Sequence, residues 1–204
     1  MEDVIALALV DRIRRAHRWL IDATTILPEE TLFRRFGPTA PPIGWHLWHI
    51  SRWADRVQAS LPRRSDAEGY RPNPNAGIWE RESMAAEWDL DPRTLGTLEE
   101  GSGMMHEDAA ALPRKIGKPA LVDYATRVFA AFDAGLDELT ADAMRATRTS
   151  VMEYEIRDGK VYKAPGKETT LAADLGFHLS HANRHLGMIE ALRGLADQEG
   201  TITA

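Results

Sequence analysis

Four stretches of this chain place apolar residues at helical spacing, and each is long enough to span a domain. In the first, residues 3–25, a stripe is formed by Val4, Ala8, Ile13, Ala16, Leu20 and Ala23. The second opens at Pro41 and Pro42, where proline is tolerated in a first helical turn, and stops before Pro62. The third covers residues 120–139, with Leu121, Tyr124, Val128, Ala131 and Ala134 on its buried side. The fourth runs over residues 171–195 and can be capped by Thr169 or Thr170. Four such stripes in 204 residues bury one another most simply as a helix bundle. The expected fold class is all-α. A single domain over residues 1–204 is expected, since no repeat, linker or low-complexity run divides the chain.

One segment departs from the helical period. VMEYEIRDGKVYKA, residues 151–164, alternates around Asp158-Gly159. It reads as a β-hairpin with a type I′ turn, whose two central residues need positive φ, and it sets Ile156 opposite Val161. RRSDAEGYRPNPNAG reads as loop by composition. IWERESMAAEW reads as a shorter helix, followed by a connection through Gly96, Gly101 and Gly103.

Charge and residue usage narrow the function. A net charge of −6 gives no general attraction to nucleic acid. There is no cysteine, so disulfides, thiolate metal sites and a cysteine nucleophile are all excluded. Any thiol chemistry needs a thiol from outside. MEDVIALALV carries acidic residues where a secretory signal is basic, and its apolar run is too short to cross a membrane. A cytoplasmic protein with no membrane partner is expected.

The histidines carry the chemistry. On the last helix His178, His181 and His185 fall within an arc of about 60°. His181 and His185 are one turn apart and can share an ion, whereas His178 and His185 are two turns apart, about 10.5 Å along the axis. On the second helix His46 and His49 lie on a face with Ile43, Ile50 and Trp53, while Arg52, Asp55 and Arg56 lie towards the other side. Bundles build metal sites from inward residues of facing helices, so a third ligand from the second helix is natural; spacing leaves His46 and His49 both open. Buried histidines can instead be satisfied by hydrogen bonds. Five imidazoles on two apolar faces, however, would cost several kcal/mol, as an order of magnitude, without an ion or a polar cavity.

WHLWHI on the second helix and HANRHLG on the last resemble the DinB-like superfamily of metal-binding four-helix bundles. That superfamily includes bacillithiol and mycothiol S-transferases and the mycothiol-dependent maleylpyruvate isomerase. The resemblance implies a DinB-like four-helix bundle, here with the β-hairpin inserted before the last long helix. It also implies a metal triad of one histidine from the second helix and both of HxxxH: His49, His181 and His185. WxLxHI is similar to the iron-binding helix of ergothioneine sulfoxide synthases, where the second histidine position is the ligand, which favours His49 over His46. The second catalytic domain of those synthases is not expected in this chain. Many relatives read HxxxHRGQ; here Leu186 and Met188 replace the arginine and glutamine.

Three neutral imidazoles leave an ion its charge and an open position, the catalytic pattern for zinc; nickel or iron would suit the same ligands. The resemblance therefore implies a divalent-metal-dependent transferase or isomerase. Its small-molecule substrate, a low-molecular-weight thiol or water, would be acidified at the ion. The alternative is a non-enzymatic or stress-response bundle with a structural metal, marked by a fourth protein ligand and a sealed site.

Around the triad, His46 and His178 are expected in the pocket or just behind the ligands. His17, among Arg14, Arg15 and Arg18, is expected in solvent, with His106 also outside the site. Glu153 and Glu155 on the hairpin are expected to be solvated. Trp45, Trp48 and Trp53 are expected in core or interface, and an exposed Trp48 would mark a contact surface. Relatives commonly dimerise, and a homodimer is expected.

Overall fold

A computed structural model describes residues 2–65, 69–72 and 77–200. In chain order its first half contains α1 (Glu2–Thr25), α2 (Glu29–Leu32), α3 (Ile43–Ala59), β1 (Pro62–Ser65), β2 (Gly69–Pro72), α4 (Ile78–Arg81) and α5 (Met84–Glu87). The second half contains α6 (His106–Ile116), α7 (Lys118–Asp137), α8 (Ala141–Arg145), β3 (Thr147–Thr149), β4 (Tyr154–Arg157), β5 (Lys160–Lys163), β6 (Glu168–Thr170) and α9 (Leu171–Leu195). The four long helices close a ring in which α3 packs on α7 and α9, and α1 packs on the same two. No helix among the described residues is long and apolar enough to cross a membrane.

The helix ends follow the local chemistry of the chain. Pro42 stands just outside α3 and its carbonyl accepts from the Trp45 backbone N–H at 3.0 Å. Thr170 caps α9, its hydroxyl accepting from the Ala173 N–H at 3.2 Å. The hairpin forms as the alternation implies. β4 and β5 pair antiparallel with Ile156 opposite Val161, and Asp158 and Gly159 have φ of 50° and 72°. A second ladder, β3 with β6, brackets the hairpin at its base.

Several expectations need correction. The stretch expected as loop after Pro62 contains a two-stranded ladder, β1 with β2; residues 66–68 and 73–76 of it lie outside the described residues. The helix expected over IWERESMAAEW is two single turns, α4 and α5, broken where Ser83 takes a left-handed φ of 52°. On α7, Ala134 is exposed and Ala131 only half-buried; Phe129, Phe132 and Leu136 complete the inner stripe. Helix α6 was not anticipated, because Pro113 lies inside it and argues against a helix there. It packs on α3 where a Cβ at Gly44 would stand 2.8 Å from that of Pro113.

Helix α3 is the axis of the molecule: every residue from 43 to 55 is buried. Its side carrying Arg52 and Asp55 is therefore not a solvated face. Asp55 accepts from the Ile78 and Trp79 backbone N–H groups, both at 2.8 Å, and from the Tyr124 hydroxyl at 3.0 Å. The Arg52 guanidinium lies 4.3 Å over the Trp79 ring and its Nε donates to the Glu99 carbonyl at 2.9 Å. The segments between α3 and α6 cover this face, so charge on it is matched by partners instead of by water.

Candidate functional site

The inward face of α3 meets α9 at a group of imidazoles. His49, His181 and His185 offer ring nitrogens that all lie within 4.8 Å of one another, and all three are buried. The Nε2 of His181 lies 3.2 Å from that of His49 and 3.0 Å from that of His185. His46 stands behind this trio, its Nδ1 2.9 Å from the Nδ1 of His185. The residues anticipated as ligands are thus brought together, and His46 is adjacent to them.

A strap between Leu95 and Met105 fixes His49 from the other side. The Glu100 backbone carbonyl accepts from the His49 Nδ1–H, and the Glu100 carboxylate lies 3.4 Å from the same nitrogen. The His49 ring stacks on Trp45 with centroids 4.7 Å apart, and the Trp45 indole N–H reaches the Met104 sulfur at 3.3 Å. Gly101 makes this approach possible. Its φ is +101°, and a Cβ there would stand 2.8 Å from Trp45 and 2.9 Å from the His49 Nδ1.

These contacts determine which nitrogens are bare. A neutral imidazole carries one ring proton. That of His49 is on Nδ1, so its Nε2 is a lone pair. The His181 Nε2 has two nitrogen neighbours and either one hydrogen to donate or one lone pair to accept with, so the two contacts cannot both be ordinary hydrogen bonds. A cation satisfies both contacts at once. For nitrogen ligands about 2.1 Å from an ion at right angles to each other, the nitrogens would be about 3.0 Å apart. The spacing and chemistry of these donors fit a divalent metal.

Burial keeps the group neutral, the form that binds metal. It lowers the pKa of His46 and of His181 to about 4. Burial also depresses His49 and His185, with mutual repulsion among the imidazoles adding to the effect. Burial raises the pKa of Glu100, opposed by hydrogen bonds from Ser102. Glu100 was missed from sequence: nothing in the run LEEGSG separates it from Glu99.

His178 is turned to a different partner. Its Nε2 lies 2.9 Å from the Nε2 of His17, whose Nδ1 lies 3.1 Å from the Asp133 carboxylate. His17 is 2% exposed, so the expectation of a solvated residue fails. The neighbouring arginines point elsewhere; His17 shares its stripe with Ile13 and Leu20, four before and three after it. The carboxylate takes the His17 Nδ1–H, His17 Nε2 then accepts from His178 Nε2–H, and the His178 Nδ1 is left bare. That nitrogen has no hydrogen-bond partner among the described residues. Burial holds both imidazoles below the usual histidine range.

The remaining candidates lie outside the cluster. His106 is exposed at the start of α6. Glu155 is exposed on the hairpin, and Glu153 pairs with Arg56 at 3.6 Å. Trp48 is fully buried against Trp79 and marks no contact surface.

With this geometry in hand, comparison with known proteins places the chain. The DinB superfamily matches over residues 12–189. The chain belongs to the DinB superfamily. This is a metal-binding superfamily, in keeping with the buried histidine group. No curated protein gives a significant match to this DinB protein. Among solved structures, the crystal structure of a conserved protein from Enterococcus faecalis superimposes with a TM-score of 0.65 at 18% identity. The match covers 94% of this chain and 96% of that one. At that identity the likeness establishes the fold of this DinB protein and nothing further.

Proposed function

We propose that this protein is a divalent-metal-dependent transferase or isomerase that activates a low-molecular-weight thiol or water. In this reading His49, His181 and His185 hold one zinc, nickel or iron ion. A divalent ion on three neutral imidazoles supplies an open position at which a bound thiol or water becomes acidic. The observation that carries the reading is the convergence of the three ring nitrogens on one point, two of them 3.0 and 3.2 Å from the third. Glu100 holds His49 and His46 holds His185, so both rings are oriented before any ligand arrives. His178, engaged with His17, positions α9 from below the site. Among the described residues the ring nitrogens of three histidines converge and no fourth histidine or carboxylate ligand atom joins them within 4.8 Å, which favours an open coordination position over a closed structural one.

Metal analysis of purified protein tests this. One divalent ion per chain is expected, lost in His185→Ala and His49→Ala and retained in His46→Ala. Retention in His49→Ala with loss in His46→Ala would exchange their roles. A thiol-transfer screen then follows; a tightly held ion with no turnover of any thiol or water substrate would make the metal structural.

We further propose a cytoplasmic homodimer as the working form. The absence of cysteine leaves nothing to form a disulfide and is compatible with a reducing compartment, and Val4, Ile5 and Leu7 are exposed apolar side chains at the start of α1 that a second copy would cover. Light scattering should give twice the 22.8 kDa chain mass; a single chain mass at micromolar concentration would refute it.

A further inference from the structure

Helix α9 meets solvent along one ridge beside the histidines. Phe177, His181, Arg184 and Met188 stand three or four residues apart, so they follow one another along the same side of the helix. His181 is the buried member; Phe177 and Met188 are 36% and 42% exposed, and Arg184 is exposed between them. Arg184 directly precedes His185, about 1.5 Å from it along the axis and about 4.5 Å from His181. It thus stands at the height of the triad, on the solvent side. Gly187, three residues on, faces open space: a Cβ there would meet nothing within 4 Å.

The charge of Arg184 reaches the site. Burial is the main cause of the low pKa values of His181 and His185, and the Arg184 guanidinium adds to it in both. Burial and Glu100 raise the Tyr154 hydroxyl, and Arg184 opposes them. No carboxylate neutralises this cation, which has no ion pair or hydrogen bond among the described residues. The hairpin carboxylates nearby are taken, Glu153 by Arg56 at 3.6 Å and Glu155 by Arg157 at 2.9 Å. Glu100 is fully buried at the Nδ1 of His49. A guanidinium in this place disfavours a second positive charge at the imidazoles, so holding an ion does not explain it. Arginine and ion together would present positive charge that draws an anion.

We propose that Arg184 is the specificity-determining residue of the site and binds a carboxylate of the substrate, with Phe177 and Met188 taking apolar parts on either side. The guanidinium is a planar fork of donors whose geometry matches a carboxylate. The substrate class is then a small carboxylate anion whose reacting atom lies at the histidines; this last clause alone rests on the function proposed above.

The test uses the protein as purified, with 3-mercaptopropionate and its neutral amide, 3-mercaptopropionamide, as matched probes titrated by calorimetry. The carboxylate should bind at least about fivefold more tightly, as expected of a charged hydrogen bond at a partly exposed position. Arg184→Gln, a good helix former at an exposed position, should abolish that preference and leave the Kd of the amide unchanged. Arg184→Lys should restore part of it, since the charge returns without the fork. Equal binding of the two probes to the native protein, no saturable binding of the carboxylate, or a preference that survives in Arg184→Gln would each overturn the proposal. Metal content is measured on the same sample. An Arg184-dependent preference without bound metal would overturn the triad reading and leave this one standing; bound metal without the preference would overturn this one alone.

Discussion

Gly101 is the residue on which the position of His49 most visibly depends. Any side chain there must take a φ of +101° and displace either Trp45 or His49. Gly101→Ala should cost about 1–3 kcal/mol of stability. It should also weaken zinc binding by about 10–100-fold, the usual consequence of disturbing what orients a ligand. Competition with a chromogenic chelator reads the second effect, and unchanged affinity would show that the strap does not orient His49. At this scale the sequence was informative wherever residue type and spacing coincide. His181 and His185 one turn apart, and His46 and His49 on an apolar face, could be read directly. His17 could have been read too, since its spacing from Ile13 and Leu20 marks the inner stripe, but three adjacent arginines obscured it. Glu100 left no trace, because its role depends on where a glycine-rich strap lands.

Among the elements, α3 and the short helices over it depend on one carboxylate. Asp55 satisfies the first N–H groups of α4 while receiving the Tyr124 hydroxyl and lying near the Arg52 guanidinium. Asp55→Ala leaves those donors buried and the guanidinium without its fully buried counter-charge. The loss should be about 3–5 kcal/mol, the range for breaking a buried charged pair. Urea denaturation measures it, and a change below about 1 kcal/mol would mean that water replaces the carboxylate. The long helices and the hairpin were legible because each repeats a signal over many residues or concentrates it in Asp-Gly. The β3–β6 ladder, of three residues a side, and α6, interrupted by Pro113, are set by tertiary packing, which no local period reports.

For the molecule as a whole, six buried imidazoles make stability depend on acidity. His17, His46, His49, His178, His181 and His185 all have folded pKa values below the ordinary 6.5. Above that value both folded and unfolded chains hold these rings neutral, and the six contribute no pH dependence. As pH falls through it, the unfolded chain gains protons that the folded one refuses, so stability drops. Each ring contributes up to about 1.4 kcal/mol per pH unit. For His46 and His181 the loss continues until pH reaches their folded values of about 4. The urea midpoint of metal-free protein should therefore fall steeply below about pH 6.5; a flat profile from neutrality to about pH 5 would contradict the burial of these rings. Added zinc should raise the midpoint at neutral pH, and the gain should shrink on acidification as protons compete for the same nitrogens.

The line of Asp133, His17 and His178 draws one residue each from α7, α1 and α9. Greasy surfaces tolerate sliding: a helix shifted by a turn still buries much the same area. This file of donors and acceptors does not. A slip of a single residue turns a helix by about 100° and strands two imidazoles in an apolar core. The three side chains thus act as a key that admits one rotational setting of three helices. That same setting aims His181 at His49, so assembly of the bundle is checked at a point remote from the site it serves.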